Sequence, residues 1–197
     1  MSMTTLEDLL VEQIRDLYDA EKQLVRALPK MAEAATSEDL QEGIRSHLEE
    51  TKNQVSRLER IFEELEIPAK GKACKAMRGL VEEGAEAASD EKSDEPLTDL
   101  AIIASAQRVE HYEISAYGTA RAIATQLGKE NIASLLEETE EEEKAADMKL
   151  TDIAADLMGQ LGDEKDADED VEDVEVEEKL PRKTTQSGAG TRRVARG

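Results

Sequence analysis

Leu10, Ile14, Leu17, Leu24 and Leu28 recur at the three- and four-residue spacing that lines side chains along one face of an α-helix. Thr4, followed three residues later by Glu7, has the form of a capping box, so a first long helix is expected to open there. Pro29 should kink or end it, because proline removes a backbone hydrogen bond and clashes with the preceding turn, although residues 30–35 could continue after a bend. Thr36 and Asp39 open a second unit, with Ile44, Leu48, Thr51, Val55, Leu58 and Phe62 on one face and a stop before Pro68. Residues 70–89 are rich in Ala and Gly, with Cys74, Met77, Leu80 and Val81 as apolar anchors, which suits a short, weakly amphipathic helix. After a polar loop over 89–95, Pro96 is favoured at a first helical position. The third long helix carries Leu100, Ile103, Gln107, Ile114 and Arg121 on one side and ends at Gly128. The fourth follows at once, with Ile132, Leu136, Thr139, Ala146, Leu150, Ile153 and Leu157 as its stripe.

Two helical hairpins are thus joined by a long connection from Pro68 to Pro96, enough chain to cross from one end of a bundle to the other. One long crossover is the connectivity of ferritin-like folds, whereas an up-down-up-down bundle needs only short loops. The expected fold is all-α, a ferritin-like four-helix bundle over residues 4–158 whose crossover contains a short helix. From Gly159 the periodicity fails. Residues 163–178 hold 11 acidic side chains against one Lys, and the end, LPRKTTQSGAGTRRVARG, is polar and basic. Residues 159–197 are expected to be a disordered tail, with too little apolar surface to offset chain entropy.

Composition sharpens this. Aromatic residues make up 2% of the chain, with no Trp and one Phe, while the strong helix formers Ala, Leu, Glu and Lys are abundant. A formal charge of −22 argues against a nucleic-acid partner, because phosphate contacts need a surplus of Lys and Arg. Such acidity either keeps a protein soluble at high salt or draws cations toward carboxylate-lined sites. The single cysteine, Cys74, excludes an internal disulfide and a cysteine-based zinc site, and reads as a small packed side chain in a reducing compartment. MSMTTLEDLL lacks a basic segment followed by an apolar run, and no long apolar stretch occurs elsewhere, so a cytoplasmic protein with no membrane partner is expected.

The anomaly is that three of the four stripes contain a glutamate near their centre. At 100° per residue Glu21 lies within about 40° of Leu10, Ile14 and Leu28. Glu110 sits between Ile103 and Tyr117, and Glu143 between Leu136 and Leu150. In the second helix the stripe is apolar, but His47 and Glu50 flank it one turn apart. An unpaired buried carboxylate costs several kcal/mol, so converging acids must be neutralised, paired or bound to cations. Two divalent ions such as iron or manganese, which accept carboxylate and imidazole, would resolve the conflict. Glu113, one turn after Glu110, is either a bridging or terminal ligand or an edge residue. Asp147, one turn after Glu143, is a ligand, an acceptor for His47, or a solvated acid. His111 points about 100° away from Glu110 and reads as peripheral. Tyr18 and Tyr117 fall near the same layer, as hydrogen-bond donors to ligands or as core side chains.

The segments DLYDAEKQL, SHLEETKNQVSRLE, SAQRVEHYEISAYGTA and EEEKAADMKLTDIA resemble, in this order, the YciE/YciF group of bacterial stress-associated ferritin-like proteins. The resemblance spans residues 4–158. It implies a rubrerythrin-like bundle, a homodimer, a dimetal centre and induction under stress. Matched residue by residue, it favours Glu21, Glu50, Glu110 and Glu143 as metal ligands, with His47, Glu113 and Asp147 as further candidates. The usual ferritin-like pair is Glu followed three residues later by His. Here the order is His47 then Glu50, and Ala146 stands where a fourth-helix histidine would fall, which leaves a donor set poor in imidazole. Two functions remain open: a dimetal stress protein oxidising Fe(II) or consuming peroxide, and a metal-free dimeric scaffold whose inner acids meet Arg121, Arg108 or water.

Overall fold

The computed structural model describes residues 3–89 and 95–175, and among these every regular element is α-helical. The order is α1 (Leu6–Ala34), α2 (Glu38–Glu64), α3 (Lys75–Ala88), α4 (Glu95–Gln126) and α5 (Glu130–Glu175). The all-α expectation holds. Among the described residues no helix is long and apolar enough to cross a membrane. The first compact unit ends at Gln160, and the described part of the second is the remainder of α5.

Several boundaries differ from expectation for local reasons. The cap of α1 is Thr5 rather than Thr4. Its hydroxyl accepts from the Asp8 N–H at 3.0 Å, and the Asp8 carboxylate reaches back to the N–H groups of both Thr5 and Thr4. Pro29 lies inside α1, which continues to Ala34. Ser37, not Thr36, caps α2, because Thr36 is engaged elsewhere: its N–H and hydroxyl both donate to Asp99, at 2.8 and 2.7 Å. Gly128, at φ +68°, closes α4 in the left-handed conformation that glycine adopts without strain. The fourth long helix does not stop near Leu157. As α5 it runs on to Glu175, so residues 159–175, expected to lack structure, are helical; the stretch is built largely of Asp and Glu and contains no proline to break the helix. The remaining residues of the expected tail, and most of the expected loop before Pro96, lie outside the described residues.

The link from α2 to α3 is tied along α1. Lys72 N–H donates to the Arg15 carbonyl at 3.0 Å, Cys74 N–H to Asp19 at 2.8 Å, and the Gln23 amide to the Cys74 carbonyl at 3.1 Å. Gly71 is needed here, since a Cβ would come within 3.2 Å of the Asp19 Cβ. Cys74 is buried, as expected, and its sulfur caps α3 by accepting from the Met77 N–H.

The core is apolar at both ends and polar in the middle. One cluster gathers Leu24, Leu28, Leu40, Ile44, Met77, Ile102, Ile103 and Leu150. The other gathers Leu10, Ile14, Leu17, Leu58, Ile61, Phe62, Tyr117, Ile132 and Leu136. Each such side chain taken out of water contributes about 1.5–3 kcal/mol. Along α1, α2, α4 and α5 the polar residues fall between these two sets: Glu21; His47, Thr51 and Gln54; Glu110 and Glu113; Thr139 and Glu143.

Candidate metal centre

Glu21, Glu113 and Glu143 are fully buried, Glu110 is 3% exposed and His47 8%. One ligating atom from each of His47, Glu110, Glu113 and Glu143 can be chosen so that all four lie within 4.8 Å of one another. His47 Nε2 is 3.5 Å from Glu110 Oε1 and 3.8 Å from Glu143 Oε2. Tyr117 Oη donates to Glu21 Oε1 at 2.5 Å, so of the two tyrosines expected near this layer it is Tyr117 that holds an acid. Tyr18 instead donates to Glu59 at 2.8 Å and stacks edge-on against Phe62.

Two further candidates sit apart. Glu50 is 44% exposed and meets the outer nitrogen of the imidazole, Nδ1, at 3.4 Å. Asp147 accepts from the Gln107 amide at 3.1 Å and lies 3.5 Å from His111 Nε2, itself largely exposed. The structure therefore brings together Glu21, His47, Glu110, Glu113 and Glu143, sets Glu50 behind His47, and directs Asp147 to the α4–α5 flank.

The sequence pattern misjudged the rotation of α4 and the width of the inner face of α2. In α4, Gln107, Ile114 and Arg121 are only half-buried; the inner line is Ile102, Val109, Glu113, Tyr117 and Ala120. In α2, Ile44, Thr51, Leu58 and Phe62 are buried as expected, but the inner face extends to His47, Gln54, Arg57 and Ile61 while Leu48 and Val55 are half-buried. Both errors have one origin, since a search for apolar periodicity is drawn off phase where the deepest positions are polar. Gln54 and Arg57 were missed for that reason. Gln54 Nε2 donates to Glu143 Oε1 at 2.5 Å and to Glu142 Oε2 at 3.0 Å. Arg57, nearly buried, donates to Glu142 at 2.9 Å, Glu138 at 2.7 Å and Thr139 at 2.6 Å. Their signal was spacing: His47, Thr51, Gln54, Leu58 and Ile61 follow the helical repeat.

Electrostatics set the inner acids apart. Burial, reinforced by the neighbouring carboxylates, pushes Glu21, Glu110 and Glu113 well above the usual carboxylate range. Burial also raises Glu143, against hydrogen bonding and the nearby imidazole. For His47 burial opposes the charged form, but the Glu50 hydrogen bond and the charges of Glu143 and Glu50 outweigh it, and its pKa rises. Arg121 gives these acids no relief. It binds Glu140 at 2.7 Å on the outer flank, and Arg108 is exposed.

Six buried oxygens and one ring nitrogen in this layer have no hydrogen-bond partner: Glu21 Oε2, Glu110 Oε2, both oxygens of Glu113, Glu143 Oε2, Gln54 Oε1 and His47 Nε2. Buried polar atoms are rarely left so, each costing about 1–3 kcal/mol. Protons shared within the pairs Glu21–Glu113 and Glu110–Glu143 would satisfy part of this set, and a bound cation would satisfy it more fully. The donor set, carboxylates and one imidazole, suits hard to borderline divalent metals and lacks the thiolates that select soft ones.

Residues 5–161 match the family described as a domain of unknown function, DUF892. Protein YciF of Escherichia coli (strain K12) is 45% identical over 166 residues, covering 84% of this chain and 99% of that protein. The crystal structure of YciF, described there as a stress protein, matches with a TM-score of 0.77 and 46% identity over 80% of this chain and 99% of that one. YcfI of Rhodopseudomonas palustris, described as a candidate structural protein, matches with a TM-score of 0.73 and 47% identity, over 76% of this chain and 95% of that one. A protein of Xanthomonas campestris pv. campestris shares the fold at 20% identity, with a TM-score of 0.63 over 82% of this chain and 99% of that one. Sequence and fold agree across the whole helical unit, and the chain belongs to the DUF892 family.

Proposed function

We propose that this protein is a ferritin-like, four-helix dimetal-carboxylate protein of the stress response, acting as a homodimer in the cytoplasm and holding two ions of iron or manganese in its interior. In this arrangement α1, α2, α4 and α5 form the bundle and the segment containing α3 is the crossover. The observation that carries the reading is the group of unpartnered buried carboxylate oxygens from three helices around one unpartnered imidazole nitrogen. Glu21, Glu110, Glu113, Glu143 and His47 would hold the metals. Glu50 acts behind them: its contact with Nδ1 fixes the ring and leaves Nε2 for the interior. Tyr117 orients Glu21 and Gln54 orients Glu143, while the two apolar clusters keep bulk water from both ends. When bound, such ions supply one-electron redox chemistry, suited to oxidising Fe(II) or consuming peroxide.

Elemental analysis of protein purified without chelator, followed by Mn(II) titration with thermal melting, tests this. Two ions per chain are expected, and metal at about one hundred times its dissociation constant should stabilise by about 2.7 kcal/mol. Glu110→Ala should lose both the ions and the shift. A metal-free preparation whose melting ignores both Mn(II) and chelator would end the proposal. A second reading, a metal-free scaffold acting through its acidic surface, is favoured by the description of the R. palustris relative as structural. It predicts that Glu110→Gln raises stability and that metals change nothing.

A further inference from the structure

Beside the carboxylate layer is a cavity of about 190 Å³ between α2 and α5, open to solvent on one side. It exists because facing positions carry small side chains: Gly43 on α2, Ala106 on α4, and Ala145 and Ala146 on α5. Leu28, Met31, Ile44, Leu150 and Ile153 supply apolar walls. Its inner end is of another kind. His47 and Glu110 both line it, and each is more than nine-tenths buried with a polar atom, Nε2 and Oε2, lacking any partner. The outer rim carries Glu50, Glu142 and Lys149. The Lys149 stem and Ile153 lean over Gly43, where an added Cβ would lie 3.6 Å from both Lys149 Cε and Ile153 Cδ1.

Close-packed interiors leave few voids of this size, and an apolar cavity of about 150 Å³ is enough to hold benzene. An apolar barrel ending in an acceptor favours a molecule with an apolar body and one hydrogen-bond donor. Charge narrows the choice. Glu50, Glu110 and Glu142 surround the space, so a carboxylate of the same shape meets repulsion and loses its hydration, with Lys149 as the one cation on the rim. We propose that this cavity is a binding site for a small uncharged molecule with a single-ring or comparably sized apolar body and one hydroxyl donor, the donor directed to Glu110 and His47. The apolar walls come from residues other than the acids, whereas the donor needs the Glu110 and His47 atoms that metals would take, so the polar anchor is that of the metal-free protein.

The test is calorimetric titration of the full chain, stripped of metal with chelator, with p-cresol and, in parallel, with p-toluate, which keeps the ring and methyl group but carries a charge. Wild type should bind p-cresol about tenfold or more tightly than p-toluate. Ala146→Leu, which fills the space from α5, should weaken p-cresol by about tenfold or more. Gly43→Val, which obstructs the mouth from α2, should do the same, and both variants should keep the wild-type helical circular dichroism. In methyl NMR spectra, p-cresol should shift Ile44, Leu150 and Ile153 and leave Ile132 and Leu136 in place. The proposal is overturned if p-cresol does not bind wild type, if both folded variants bind it undiminished, or if p-toluate binds as well.

Discussion

Neighbouring glutamates on α5, Glu138 and Glu142 on one side and Glu143 on the other, meet opposite fates. Glu138 and Glu142 face the seam with α2, where the planar guanidinium of Arg57 takes both, with Thr139 completing its donors. Glu143, the next residue, turns inward to Glu110, Glu113 and Glu21, where no Lys or Arg reaches among the described residues. The seam is solved by the protein's own charges. The interior is left with acceptors and a shortage of donors, although Arg57 and Arg121 show that this chain places cations where α-helical acids need them. Because burial makes an uncompensated charge far more costly than an exposed one, the contrast points to a counter-charge from outside the chain.

The largest effect should come from breaking the satisfied side. Arg57→Met removes a nearly buried guanidinium that pairs the more exposed Glu138 and Glu142 and donates to buried Thr139, and should destabilise by about 2 kcal/mol, seen as a fall in melting temperature of about 6 °C. An unchanged melting point would mean that the seam contributes little and that the comparison is false.

Next in size is the effect of relieving the unsatisfied side. In protein stripped of metal, Glu113→Gln should stabilise by about 1–2 kcal/mol at pH 8. Glu113 has a folded pKa raised above its unfolded value of about 4.3, so its contribution is favourable below that value and is lost as pH rises through the folded pKa. The advantage of the variant should therefore shrink from pH 8 to pH 5, and Mn(II) should abolish or reverse it. Denaturant melts at the two pH values decide the matter; a variant weaker than wild type at pH 8 without metal contradicts the account.

Smallest is Tyr117→Phe, which takes a donor from Glu21 and should cost about 1 kcal/mol while leaving the ring's packing intact. The drop should be visible in the midpoint of urea unfolding, and no drop would show that Glu21 gains nothing from the hydroxyl.

The same contrast explains what could be read from the chain. The α1 stripe is apolar on both sides of Glu21, so one acid among leucines stood out, as did Glu110 and Glu143. The α4 phase was harder, because Ile114 and Leu100 offered a plausible line beside the true one, and Glu113 was left between two roles. In α2 the apolar ends of the inner face were legible, but its middle adds His47, Gln54 and Arg57 to Thr51, and those three in print look like a solvated surface. Only the partners across the seam, on a helix some eighty residues later in the chain, reveal it as interior. The continuation of α5 to Glu175 was missed because apolar periodicity was taken as the criterion for helix, whereas the helix runs on through an acidic stretch with no proline to stop it.

Asp99, near the start of α4 and 1% exposed, takes three hydrogen bonds from the corner between α1 and α2: Thr36 N–H, Thr36 hydroxyl and Ser37 N–H. It acts as an indexing pin. A one-residue slide of α4 would shear all three bonds together, so the depth at which this helix delivers its acids, roughly 16–21 Å further along at 1.5 Å per residue, is dictated from the far end. Mutual repulsion among the carboxylates therefore cannot be dissipated by axial slippage, and the helix keeps them confronted.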